Sequence, residues 1–251
     1  IKNQQWGVRH GPPYPLDKLV SKQISSGKAD NDTKYGDLLL AVGVKAAQVA
    51  RAKIRTANSN KRKEAATKDP ETGFALKQSD MTPEEDCKAV NPGYGDLGRD
   101  YSHNCMYCTT AFELRQRGFD VTANKLSSGT TDDLIKELFP NSKEPTSMGF
   151  SSEHLNILTL KSASKMVKEQ ARETLFKEPE GSRGNLMVMW TMGAGHSVAY
   201  IIENGKPVIY DSQVGKVYKD VDKLLSKCSY AQYVRLDNCE IDKTKIKGAV
   251  N

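Results

Sequence analysis

The chain is expected to fold as an α+β domain, with helices first and antiparallel strands after, preceded by a basic helical arm. Three observations point there. Apolar residues recur at helical spacing up to about residue 176, and from Arg183 onward the period becomes extended. Asn204-Gly205 sits between two apolar runs, the pattern of a tight antiparallel hairpin. A cysteine pair opens one of the helical stretches, and a histidine opens one of the extended ones. At 251 residues the chain can hold one ample core plus an extension.

The extension is residues 1–66, read as a basic N-terminal arm and helix. Gly7 to Pro15 carries too many Pro and Gly residues for regular structure and is expected to be extended, pinned by Trp6 and Tyr14. Leu38, Leu39, Val42, Val44, Ala46, Val49, Ala50 and Ile54 then predict a helix over 37–56, fraying into the charged stretch 58–63. Its single narrow apolar stripe calls for a partner surface.

Of the 37 Lys and Arg, 14 lie before residue 71 against 6 of the 31 acids, so the arm carries the whole positive excess. A solvated helical face explains this most simply. Contact with a polyanion is the second reading, since Lys61-Arg62-Lys63 is short and lacks interleaved aromatics for base stacking. No run of 18 or more apolar residues appears, so no membrane span is expected, and no signal-peptide layout follows Ile1, which reads as a processed or trimmed start.

Residues 67–90 are rich in Pro, Asp, Glu and Gly and read as a linker wrapping onto the domain that follows. It contains a turn at Asp69-Pro70-Glu71-Thr72-Gly73 and a short capped helix at Thr82-Pro83-Glu84-Glu85-Asp86. The domain proper is placed at 91–251. Within it, Asn104 is the expected N-cap of a helix from Cys105 to Arg117 that Gly118 stops. Short helices are expected over 131–139, before Pro140, and over 162–176. Strands are expected over 186–190, 196–202 and 206–211, then a helix over 221–228 and a last strand over 230–236.

Five cysteines without regular spacing do not describe a disulfide framework, and a reducing compartment suits them best. Cys87, Cys228 and Cys239 read as ordinary thiols. Cys105, at the first helical position, is where orphan N–H groups and the helix dipole act most strongly on a thiolate; Cys108, one turn later, is the alternative nucleophile. His196 is the candidate base. Asp211 lies on the other arm of the expected hairpin, so the two side chains can meet, with Asp211 orienting the imidazole through its second nitrogen. Oxyanion donors are left open between the Cys105 N–H and a neighbouring group. His103 with Cys105 and Cys108 falls short of a four-ligand zinc site, and His10 and His154 have no catalytic context; no metal or cofactor is expected.

Taken together, Asn104-Cys105-x-x-Cys108-Thr109-Thr110-Ala111, Glu113-Leu114-Arg115-x-Arg117-Gly118-Phe119-Asp120-Val121, Gly195-His196 and Asp211-x-Gln213-x-Gly215 resemble the papain-fold toxin domains of bacterial polymorphic toxins, some of which are glutamine deamidases. The resemblance implies a papain-like cysteine-hydrolase fold with Cys105 or Cys108 as nucleophile, His196 as base and Asp211 as orienting acid, with Gln213 beside them as an alternative orienter or a substrate contact. It implies a protein substrate, attacked at a glutamine carboxamide or at a peptide bond.

The segments Trp6-Gly7-Val8-Arg9-x-Gly11-Pro12-Pro13-Tyr14-Pro15-Leu16 and Asp69-Pro70-x-Thr72-Gly73 resemble phage structural or head-associated proteins. They imply phage structural proteins as partners of the arm, a location in the virion, and delivery into the host cytoplasm. On that background the alternative is a virion component that keeps a papain-like fold without turnover.

Overall fold

The computed structural model describes residues 32–78, 81–95, 99–126, 133–149, 160–191 and 193–251. The expected pinned segment 7–15, with Trp6, His10 and Tyr14, lies outside them, as does His154. The chain divides into two compact units, one comprising the described part of Ile1–Arg62 with Pro92–Ser102, the other Lys63–Asn91 with His103–Asn251.

In the first unit, helix α1 (Asp32–Ala65) runs without a break, past the point where the sequence predicts fraying. Lys45 Nζ donates to the Gly95 carbonyl at 2.7 Å, and an Arg55 guanidinium nitrogen to that of Pro92 at 3.3 Å. Val44 and Ile54 are exposed, so the expected apolar stripe is not buried along its length. The last residues of α1 belong to the second unit. There Lys63 Nζ donates to Thr122 Oγ1 and to the Asn251 carbonyl, which holds the C-terminal turn despite its poor helix formers Asn58 and Asn60.

The second unit opens with the turn at 69–73, where Asp69 Oδ1 accepts from both the Thr72 N–H and its hydroxyl. Helix α2 (Pro83–Ala89) starts from a capping box: the Thr82 hydroxyl accepts from the Glu85 N–H, and the Glu85 carboxylate accepts from the Thr82 N–H. Asp86 and Cys87 of α2 are fully buried. Helix α3 (Cys105–Gln116) ends with Gly118 at φ 95°, the left-handed residue expected there. Next come α4 (Leu134–Leu138), β1 (Thr146–Gly149) and α5 (Leu160–Glu173), followed by a 3-10 turn at Leu175–Lys177. Strands β2 (Arg183–Trp190), β3 (Gly195–Glu203), β4 (Lys206–Asp211) and β5 (Lys216–Tyr218) are succeeded by α6 (Val221–Leu225), β6 (Cys228–Arg235) and α7 (Ile246–Ala249).

All six strands form one antiparallel sheet in the order β1-β6-β2-β3-β4-β5. The β3–β4 hairpin turns at Asn204 (φ 54°) and Gly205 (φ 70°), the two left-handed positions that this turn requires. Both faces are covered. Ala199, Ile201, Val208 and Tyr210 pack with Cys108, Ala111, Phe112 and Leu114 of α3, whereas Val198, Tyr200, Ile202 and Ile209 pack with Val167 and Ala171 of α5 and Leu224 and Leu225 of α6. Hence β3 reads as an unbroken apolar run from Val198 to Ile202, because residues of either parity are buried. A Cβ on Gly184 would fall 2.0 Å from the Val234 carbonyl oxygen, so the β2–β6 approach requires glycine there.

Strands β1 and β5 and helix α7 were not anticipated from the sequence. Each is three or four residues long and takes its stability from its neighbours rather than from its own pattern.

Candidate active site

The site is built at the N-terminus of α3, where Asn104 precedes Cys105. Asn104 is buried, but its side chain makes no capping hydrogen bond, contrary to the expectation from sequence. Its amide instead donates to the Asn124 carbonyl at 2.9 Å, while its oxygen accepts from Asn91 Nδ2 at 3.2 Å. The cap comes from a distant residue. With the Gln213 amide turned so that its oxygen faces the donors, that oxygen accepts from the backbone N–H groups of Asn104 and Cys105, both at 3.1 Å. The Gln213 backbone carbonyl also accepts from Asn91 Nδ2 at 3.1 Å, so the 211–214 turn is fastened over the start of α3.

His196 meets that helix start from the beginning of β3. The β3–β4 ladder reaches only as far as Ala199↔Tyr210, which leaves the first residues of β3 unpaired on that side. Cys105 approaches along this open edge, where the His196 ring and the Ser197 and Met106 N–H groups each favour its thiolate. His196 Nε2 lies 2.9 Å from Asp211 Oδ2, which leaves Nδ1 as the nitrogen available to Cys105. Continuing the ladder register one step places Asp211 opposite Val198, two residues from His196 on the same side of the strand pair. Spacing alone had suggested that these two side chains meet.

Burial opposes charge on both partners, and the pair overcomes it on both. For Cys105, desolvation favours the neutral thiol, but the His196 hydrogen bond and charge, with the Ser197 and Met106 N–H groups, bring its pKa below the ordinary thiol value. For His196, desolvation favours the neutral ring, but Asp211 and Cys105 raise its pKa to about 9. Each partner therefore favours the charged form of the other, the imidazolium lowering the thiol pKa and the thiolate raising that of the ring. Cys108 is 1% exposed, and burial drives its thiol pKa well above normal; Cys87 and Cys228, likewise desolvated, are each pushed up to about 12. Of these thiols, Cys105 is the one whose pKa is lowered.

Several supporting residues escaped the sequence reading. Thr109 Oγ1 donates to the Cys105 carbonyl at 2.9 Å and lies 3.0 Å from Ser197 Oγ, which in turn donates to Asn185 Oδ1 at 2.7 Å. This chain ties the first turn of α3 to β3 and β2 directly behind the sulfur. Trp190 stacks on the His196 ring with centroids 6.3 Å apart and planes at 28°. It sits at a register shift between β2 and β6, an irregularity that re-aims a side chain. No local signal marks Thr109, Ser197, Asn185 or Trp190, because each acts across elements far apart in sequence.

The run from Glu113 to Val121 after the cysteines is a scaffold. Arg115, fully buried, donates to Asp86 Oδ1 at 2.8 Å, to Asp120 Oδ1 and to the Val121 carbonyl at 3.0 Å. Glu113 accepts from Arg117 at 2.7 Å and from Arg183 at 2.9 Å, and Arg117 also donates to the Cys239 carbonyl at 2.8 Å. These bonds lock the far end of α3 to the rest of the unit.

Cys105 and His196 line an open cleft of about 670 Å³ whose walls include Met106, Ile135, Met187, Met189 and Tyr230, with Lys136, Lys143 and Glu144 also bordering it. The lining is mainly apolar around few polar groups, the usual make-up of a binding cleft. Among the described residues no three His, Cys, Asp or Glu side chains cluster as metal ligands, and no described helix is long and apolar enough to cross a membrane.

Residues 103–216 match a family model described as "Papain fold toxin 1, glutamine deamidase". The matched stretch is a little under half of the chain and contains Cys105, His196, Asp211 and Gln213. Neither the curated proteins nor the solved structures yield a match. With helices and a single antiparallel sheet arranged as described, the chain carries an α+β papain-like fold, and its second unit is similar to papain-fold glutamine deamidase toxins.

Proposed function

We propose that this protein is a thiol hydrolase that deamidates glutamine side chains of a protein substrate. One observation carries the reading: His196 pairs with the Asp211 carboxylate at 2.9 Å and adjoins Cys105, and the two shift each other's pKa toward the charged forms. Cys105 is the nucleophile, His196 the acid and base, and Asp211 the group that orients and charges the ring. The thiolate attacks the carboxamide carbon, and His196 then gives its Nδ1 proton to the departing ammonia, leaving a thioester. Water, deprotonated by His196, opens the thioester to glutamate and restores the thiolate. Glutamine rather than a peptide bond is favoured by the family match.

Gln213 has a part in this cycle. Its amide oxygen, accepting from the Asn104 and Cys105 N–H groups, fixes the first turn of α3 that presents the nucleophile.

The N-terminal 66 residues are proposed to join the domain to phage structural proteins, with the virion as its location and the host cytoplasm as its place of action. Support for this comes from the sequence: the Trp6 to Leu16 segment and the excess of Lys and Arg before residue 71. A polyanion contact through the same charges would weaken steeply with salt.

The test is incubation of the purified chain with a bacterial lysate and with glutamine-containing peptides, followed by assay of ammonia and peptide mass. Release of ammonia, with an amide-to-acid mass change and unbroken chains, is expected, and the Cys105→Ala variant should lack both. Chain cleavage without ammonia release would make the enzyme a protease. Neither product from any substrate, with normal thiol titration, would favour the non-catalytic virion component.

A further inference from the structure

Cys108 has no part in the chemistry above, yet it is placed beside Cys105 in a particular way. The two residues stand at positions one and four of α3, about 5 Å apart at Cα by helix geometry, within the span a disulfide bridges. Cys108 Sγ donates to Asn104 Oδ1 at 3.3 Å, so its sulfur points back toward the helix start rather than into the middle of the core. Cys105 opens to the cleft, whereas Cys108 is 1% exposed. One thiol is thus reachable by a small oxidant, and the other waits directly behind it.

Bridging the pair would draw the Cβ atoms together by about 1 Å from ordinary helical neighbours. The first turn can absorb this, because the Cys105 N–H is held by the Gln213 side chain and not by the helix ladder.

We propose that Cys105 and Cys108 form a reversible dithiol–disulfide site, closed by a peroxide and reopened by a small dithiol. The Cys105 thiolate attacks one peroxide oxygen: an S–O bond forms and the O–O bond breaks. The departing hydroxide takes the His196 proton and leaves as water. The Cys108 sulfur then attacks the resulting sulfenic acid, forming S–S and breaking S–O, and the Cys108 proton departs with the hydroxide as a second water. Sulfur is oxidised and peroxide is reduced to water; a dithiol reverses the change by becoming a disulfide itself. While closed, the site has no nucleophile. The burial of Cys108 makes it a resolving thiol rather than a second target.

The experiment treats the full chain with hydrogen peroxide, alkylates it, and maps the peptides by mass spectrometry with and without later dithiothreitol. It reads thiols and not turnover, so its failure leaves the deamidase reading standing, and the reverse also holds. Two of the five free thiols should become unavailable, in a peptide linking Cys105 to Cys108, and dithiothreitol should return both. In Cys108→Ala and Cys108→Ser the same dose should carry Cys105 to the sulfinic acid, which dithiothreitol does not reverse. Sulfinic acid at Cys105 of the wild-type chain with Cys108 still free would overturn the proposal, as would a disulfide from Cys105 to any other cysteine.

Discussion

His196 Nε2 stands 2.9 Å from Asp211 Oδ2, across a hairpin whose ladder stops at Ala199↔Tyr210. That early stop is what makes the site. It frees the edge of β3 for the first turn of α3, so the imidazole can hold Asp211 with one nitrogen and Cys105 with the other. Replacing Asp211 by Ala should therefore lower deamidation roughly 10²-fold or more, the scale on which general acid–base groups act. The alkylation profile of Cys105 should move to higher pH in the same variant, since the ring loses the charge that keeps it protonated. Rates and profiles measured on Asp211→Ala and Asp211→Asn check this. An unchanged profile would mean that Asp211 does not govern the ring.

The pair also predicts how stability responds to pH. His196 has a folded pKa raised to about 9 from an ordinary value near 6.5, so the folded state binds its proton more tightly than the unfolded state. Its contribution is complete below about pH 6.5 and disappears as pH rises through about 9. Cys105 has the opposite sign: a depressed folded pKa contributes above the ordinary thiol value and is lost as pH falls through the folded one. Thermal melts of the wild type and His196→Ala should therefore differ near pH 6 through His196 itself and above the ordinary thiol pKa through Cys105, whose contribution the variant also loses.

Gln213 tests the cap. Gln213→Ala leaves the Asn104 and Cys105 N–H groups without their acceptor and should cost about 1 kcal/mol, the scale of a lost helix cap. Gln213→Glu keeps the acceptor but brings negative charge to the start of α3. It should melt near the wild-type temperature and titrate Cys105 at higher pH. Denaturant melts beside alkylation profiles separate these effects, and a wild-type melting temperature in Gln213→Ala would remove the residue from the cap.

Arg115 is a structural anchor remote from the sulfur. Arg115→Ala leaves Asp86 and Asp120 in the interior without their guanidinium and should destabilise the fold by about 3–5 kcal/mol. Urea denaturation reads this directly. Where the variant folds, its Cys105 should titrate as in the wild type.

These sites differ in how far the sequence revealed them. Cys105, His196 and Asp211 were legible because each rests on a local pattern: a helix start, a strand start and a hairpin of readable register. The β3 run from Val198 to Ile202 was legible as a strand, while its burial on both faces emerges only from the packing of α3, α5 and α6. Gln213 as the cap of α3 was not legible, since Asn104 carries the better capping side chain and only the fold shows it engaged with Asn91 and Asn124. Trp190 over His196 depends on a register shift, and the Thr109–Ser197–Asn185 chain joins three elements. Such roles are tertiary and leave no periodic trace. The long α1 was underestimated because Asn58 and Asn60 are weak helix formers, while Lys63 anchors the helix end through Thr122 and Asn251.

The claim at the centre is that Cys105 is a thiolate held by His196. It is tested most directly by the pH dependence of iodoacetamide alkylation at each cysteine, followed by mass spectrometry in the wild type and in His196→Ala. Cys105 should react well below the ordinary thiol pKa of about 8.5, with Cys108 unreactive throughout, and His196→Ala should move the Cys105 midpoint up to or beyond that value. A Cys105 that titrates at or above the ordinary value in both proteins would contradict the account.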